Sequence, residues 1–239
     1  MKWLRTLILF ERGGVLESPD WGDLHQSYLR AIAKIDNPRG SGRLKLREKV
    51  RQPNGQWSRN GVNYLKARFL EHMKGDEGWL PEGLVQLKSE AISPELRLYP
   101  SMMPHREPVT STFGGFDFVT SGTQGAKVAI EWETGNISSS HRSMNKLAIA
   151  LQLGIIQVGV LIVPSRSLYQ HLTDRVGNIS ELSGYLNMWA GMATGIERGL
   201  LAVTVVEHDD LTVDEAFPYL TVGMDGRAEQ GRKKGRLAE

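Results

Sequence analysis

Between residues 23 and 35 the apolar positions Leu24, Tyr28, Ala31, Ile32 and Ile35 share one helical face behind Asp23 as a cap, so an amphipathic helix is expected there. Val62, Leu65, Phe69 and Met73 repeat that spacing, and 81–91 is expected to form a third, short helix. The period then changes. LRLY near 97–100, FGGFDFVT and KVAIEWE are short runs of alternating, aromatic or β-branched residues, separated by turn signals at Pro104, Pro108 and SGTQG (121–125). The last two predict a hairpin. Helical spacing returns at 143–153, with Met144, Leu147, Ala148 and Leu151 on one stripe, while 156–163 is almost continuously apolar, as suits a fully buried strand. A short helix over 165–173 is expected, then one over 180–193 with Leu182, Leu186, Trp189 and Ala193 inward, and a second buried strand over 200–206. The opening stretch MKWLRTLILFERGG reads as a strand and not as a leader, because Glu11 and Arg12 interrupt its apolar run and no small-residue cleavage site follows.

Helices followed by strands alternating with helices predict an α/β fold, a mixed β-sheet flanked by helices. With 239 residues, 40% hydrophobic and 23% charged, the chain is long enough to bury such a core, and one domain spanning 1–239 is expected. The absence of cysteine excludes thiolate metal sites, cysteine nucleophiles and disulfides, and is compatible with a reducing compartment; a cytoplasmic protein is expected. No apolar window approaches the length that crosses a bilayer, so no membrane partner is expected.

The formal net charge of +2 conceals segregation. Residues 39–68 hold nine basic residues against one acid, Glu48; 76–95 reverses the sign with five acids against Lys88; and the 227–239 tail adds Arg227, Arg232, Lys233, Lys234 and Arg236. A basic, Gly- and Asn-containing block has the composition of a phosphate-contacting loop, since neutralising phosphates releases counterions. A solvated flexible loop has nearly the same composition.

The chemistry concentrates in FDFVTSGTQGAKVAIEWETGN. Strand alternation puts Phe116 and Phe118 on one face and Asp117 on the other, and sets Glu131 and Glu133 apart from Ile130 and Trp132. If SGTQG folds the two strands together, Asp117 faces both glutamates. Like charges about 5 Å apart at an effective dielectric of about 20 repel by roughly 3 kcal/mol. Such a cluster persists if carboxylates take up protons or a hard cation sits among them; oxygen-only ligands favour Mg²⁺, with Mn²⁺ or Ca²⁺ as substitutes. Acids that merely decorate a wet sheet face are the ordinary alternative, which weakens for three residues gathered where a strand opens into a loop.

Next to them, GNISSSHRSMNKL (135–147) supplies Asn136, Ser138, Ser139 and Ser140 at a helix start, with Arg142 and Lys146 in its first turns. One short polar residue suffices as a cap. Asn and Ser also hydrogen-bond base edges, and a helix N-terminus favours phosphate. Carboxylates beside a base-reading helix point to phosphodiester hydrolysis at a recognised sequence.

Asp117 followed by Glu131, Trp132 and Glu133 resembles the PD-(D/E)xK nuclease motif in the variant that has an acid in place of lysine, and residues 133–142 resemble the segment that follows it in the BamHI/BglII/BstYI group of type II restriction endonucleases. The likeness is specific over 113–153 and extends by element order to about 206. It implies a restriction-endonuclease-like mixed sheet core flanked by helices, Mg²⁺-dependent cleavage of double-stranded DNA at a palindrome with central GATC, and a homodimer. By that resemblance Asp117, Glu131 and the main-chain carbonyl of Trp132 are metal ligands, and Glu133 positions or deprotonates water or binds a second metal. Asn136 and Ser138 read the central pairs, Ser139 belongs to the same DNA-binding set, and Arg142 contacts DNA nearby. Ser165, Arg166, Asp174 and Arg175 fall where the outer pair is read, with caps or surface ion pairs as the plainer reading of those four. Two other functions share parts of the pattern. A repair or structure-selective nuclease needs the carboxylates but not the polar run, and a non-cleaving DNA-binding protein needs no carboxylate cluster.

Overall fold

The computed structural model describes residues 1–84, 95–106, 114–133, 135–173 and 176–222. Along the chain run the strands β1 (Lys2–Arg12), β2 (Lys45–Arg47), β3 (Val50–Arg51), β4 (Trp57–Ser58), β5 (Leu80–Leu84), β6 (Glu95–Arg97), β7 (Pro104–Arg106), β8 (Gly115–Ser121), β9 (Lys127–Trp132), β10 (Val158–Pro164), β11 (Gly199–Glu207) and β12 (Asp210–Thr212). Helices are α1 (Pro19–Ala33), α2 (Asn63–Gly75), α3 (Ile137–Gln152), α4 (Arg166–Gln170), α5 (Ile179–Leu182) and α6 (Leu186–Ala190).

Six strands form the central sheet in the order β1-β11-β10-β9-β8-β5. Its middle, β11-β10-β9, is parallel, and β1 on one side and β8 then β5 on the other are added antiparallel. The apolar run of β10 is buried at every position, because helices cover both faces. On one face Tyr28 and Ile32 of α1 and Phe69 and Met73 of α2 pack on Phe118, Ile130, Trp132 and Ile162. On the other, Met144, Leu147 and Leu151 of α3 and Trp189 of α6 pack on Ala129, Leu161, Leu201 and Val203. Burial of each such side chain contributes roughly 1.5–3 kcal/mol. α3 sits close on the sheet at Gly159, where an added Cβ would lie 3.2 Å from Leu147 Cβ.

Several boundaries differ from those expected. α1 starts four residues before Asp23, capped by Ser18, whose Oγ accepts from Trp21 N–H, with Pro19 as the first helical residue. α3 likewise begins at Ile137 rather than 143, capped by Asn136. The helix expected over 81–91 is instead strand β5 as far as Leu84, pairing Pro81 with Phe118 and Gly83 with Phe116; the remainder of that stretch lies outside the described residues. Its apolar residues fit either period, and the open edge of β8 decides. The expected 180–193 helix is broken into α5, a 3₁₀ turn, α6 and a second 3₁₀ turn, with Gly184 at the first break. The basic 39–68 block is not one loop: it holds β2 to β4 and the start of α2. The 227–239 tail lies outside the described residues.

Phe116 and Phe118 also part company. Alternation predicted one face for both, yet Phe118 belongs to the core under α1 and α2, and Phe116 to the core under α3. The β8–β9 ladder runs from Ser121↔Lys127 to Phe118↔Ile130 and ends there. One step beyond, Trp132 N–H donates to the Asp117 carboxylate at 2.8 Å instead of to a main-chain carbonyl. On its other edge β8 stays paired with β5 through Phe116 and Gly115, so the departure from alternation goes with the loss of β9 pairing alone.

Candidate active site

The carboxylates gather where β8 and β9 separate. Continuing the ladder register by one pair sets Asp117 opposite Glu131, and Glu133 follows just past the end of β9, its N–H donating to Ile162 O at 3.0 Å. Glu131 and Glu133 are each 7% exposed. Burial is the chief cause that pushes Glu131 up to about 7, reinforced by the charges of Asp117 and Glu133 and opposed by Lys146. Burial likewise raises Glu133, with Asp117 adding to the rise and the Gly135 N–H, Lys66 and Arg142 opposing it. The three acids are thus electrostatic neighbours, as the sequence pattern predicted.

Two lysines accompany them. Lys66 Nζ of α2 donates to Asp117 Oδ1 at 3.0 Å, reaching in from the layer over one sheet face. From the α3 layer, Lys146 Nζ pairs with Glu131 Oε1, donates to Gly115 O at 2.6 Å and lies 4.6 Å from the centre of the Phe116 ring. The lysines draw Asp117 and Glu131 toward opposite layers, and among the described residues no three His, Asp or Glu side chains converge into a metal cage in this conformation. The donor set nevertheless fits a hard divalent cation. All its side-chain donors are oxygens, burial opposes ionisation of two of the carboxylates, and buried Glu131 Oε1 has no hydrogen bond of ordinary geometry despite its ion pair. Sequence reasoning counted Lys66 in the basic block and Lys146 among the α3 cations without bringing either to the carboxylates. No local signal joins Lys66 to a residue 51 positions away.

Gly135 closes the corner between β9 and α3. Its N–H donates to Glu133 Oε1, and an added Cβ would lie 2.8 Å from that oxygen and 2.3 Å from Ser139 Oγ, so this close approach requires glycine. Asn136 then caps α3, its Oδ1 accepting from Ser139 N–H at 3.1 Å, and Ser139 Oγ donates to Asn136 O at 3.0 Å. Ser140 faces inward, its buried Oγ beside Gly177 and without a hydrogen bond. Asn136, Ser138 and Arg142 are exposed at the helix start. The polar run is therefore divided between capping, core and an outward-facing set.

Ser165, 5% exposed, caps α4 by accepting from Leu168 N–H at 3.0 Å. Arg166 is exposed, with its guanidinium 5.0 Å over the Tyr169 ring. Asp174 and Arg175 lie outside the described residues. In the basic block, Arg68 is buried against Asp36 at 3.1 Å and Glu71 at 2.8 Å, and Arg43 pairs with Asp210 at 2.8 Å. Those two cations serve the fold.

This mixed sheet with helices on both faces is the restriction endonuclease fold: BglII, solved in complex with a DNA 16-mer, superposes with a TM-score of 0.57 over 93% of this chain and 88% of that one, at 10% identity. Sequence comparison narrows the class. Residues 1–227 match the family described as Restriction endonuclease BamHI. The type II restriction enzyme OkrAI of Oceanobacter kriegii is 37% identical over 169 residues, 71% of this chain and 74% of that protein. The type II restriction enzyme BamHI of Bacillus amyloliquefaciens is 48% identical over 108 residues, 45% of this chain and 46% of that protein. The chain belongs to the BamHI family of type II restriction endonucleases, and is an enzyme of the site-specific deoxyribonuclease class. Among the described residues no helix is long and apolar enough to cross a membrane.

Proposed function

We propose that the protein hydrolyses phosphodiesters of double-stranded DNA at a palindromic site with central GATC, using Mg²⁺, as a homodimer working on cytoplasmic DNA. The observation that carries this reading is the placement of Asp117, Glu131 and Glu133 at one strand end, directly before the α3 helix start that exposes Asn136, Ser138 and Arg142. Asp117, Glu131 and the Trp132 carbonyl would hold the cation, which supplies water activation and neutralises charge on the phosphate. Glu133, held by Gly135 N–H and pushed toward protonation by burial, is suited to orient water and accept its proton. Water attacks phosphorus in line, the bond to the 3′-oxygen breaks, and that oxygen leaves with a proton; no covalent enzyme intermediate is required.

Asn136 and Ser138 read central base edges, Arg142 holds adjacent DNA, and Arg166 with the Ser165-capped turn approaches the outer pair. A two-fold palindrome is matched by a two-fold dimer. The 179–193 segment, with Tyr185 45% and Met188 51% exposed, offers an apolar surface for it together with α3. The test is digestion of unmethylated plasmid with Mg²⁺, sequencing the product ends. Discrete ends at one GATC-centred palindrome are expected; random nicking or a gel shift without cutting contradicts the reading. Glu131→Ala should abolish cutting and leave binding largely intact.

A further inference from the structure

The motif position taken by lysine elsewhere in the PD-(D/E)xK superfamily is Glu133 here, so the site end of β9 brings acids to the phosphate and no cation. A phosphodiester, itself negative, approaches three carboxylates only if positive charge meets it, and in-line attack further increases charge on its non-bridging oxygens. Besides the divalent cation of the reading above, two ammonium groups reach the cluster among the described residues. Lys146 is engaged from several sides by Glu131, the Gly115 carbonyl and the Phe116 ring, with its side chain 11% exposed. Lys66 is different: it stands on Asp117 with its side chain 37% exposed. An ammonium carries three donors, so Lys66 can keep one on Asp117 and turn another toward an arriving oxygen.

We propose that Lys66 is a catalytic residue of the hydrolysis, supplying from α2 the cation that the site end of β9 lacks by donating to a non-bridging oxygen of the scissile phosphate; this rests on the nuclease reading above. The water oxygen bonds to phosphorus, the bond to O3′ breaks with its electron pair going to O3′, and the proton lost by water balances the one O3′ gains. Lys146 holds Glu131 in place and touches no substrate.

The test is a charge cycle. Wild type, Lys66→Met and Lys66→Arg are titrated, without divalent cation, against a duplex carrying the site the wild type cuts, and against the same duplex with a neutral methylphosphonate at the scissile position. Lys66→Met should weaken binding of the charged duplex on the order of tenfold or more, while the two proteins bind the methylphosphonate duplex about equally. Single-turnover cleavage in Mg²⁺ should fall on the order of 10²–10³-fold in Lys66→Met, the scale of losing one transition-state donor, and be partly rescued in Lys66→Arg. Unchanged thermal melting checks that the variants fold. Equal losses on both duplexes, or full cleavage by Lys66→Met, overturn the assignment of Lys66 alone. A wild type that cuts no DNA overturns the nuclease reading and this proposal with it.

Discussion

Glu131→Gln removes a charge that the fold resists. The carboxyl is driven from its ordinary 4.5 up to about 7, mainly by burial. The folded state thus holds a proton that the unfolded state has released between these values, so stability falls as pH rises from about 4.5 through 7, and the whole penalty is present above 7. At about 1.4 kcal/mol per pH unit the gap corresponds to about 3 kcal/mol. That gap is already net of the pull of Lys146, which in the variant keeps the Gly115 carbonyl and the Phe116 ring. A gain of about 3 kcal/mol at pH 8 is therefore expected, or roughly 6–12 °C in melting temperature for a chain of this size. Urea unfolding of both proteins at pH 8 and pH 4.5, without divalent cation, measures it. The difference should shrink toward zero at the lower pH. A Gln variant less stable than wild type at pH 8, or a difference that ignores pH, would refute the claim that burial opposes ionisation of this group.

Asn136→Ala should cost about 1 kcal/mol in unfolding free energy through loss of the α3 cap, and should also relax discrimination at the central base pairs, read by comparing cleavage of single-substitution sites. Lost stability with an unchanged site preference would leave Asn136 as a cap alone. Phe69 packs edge-on against Phe118 at 5.4 Å and lies 4.4 Å from Trp132, centre to centre, so Phe69→Ala should destabilise by about 3–5 kcal/mol. Because Trp132 lies between Glu131 and Glu133, cleavage in Phe69→Ala should fall at temperatures where the variant is still folded, measured by single-turnover digestion beside circular dichroism.

Much of the fold was written locally. The apolar run of β10 predicted a strand buried on both faces, and the periodic stripes of α2 and α3 predicted the helices that cover them, because burial of apolar surface is a property each segment carries in its own pattern. The hairpin of β8 and β9, which brings Asp117 to Glu131, followed from alternation and a turn signal. Where local signals were balanced, neighbours decided. Residues 81–84 became a strand because β8 offered an unpaired edge, and Phe116 and Phe118 joined different cores where β9, but not β5, parts from β8. The polar run at α3 was visible in the sequence, but whether each residue caps, faces inward or faces out depends on what packs against it, as Ser140 beside Gly177 shows.

The acids, their order and the hairpin that gathers them were legible along the chain, since backbone period and turn chemistry act over a few residues. Which cations meet those acids was settled by packing in three dimensions. Lys66 and Lys146 come from helices on opposite sheet faces, and ion pairing acts through space between residues that the chain order keeps apart.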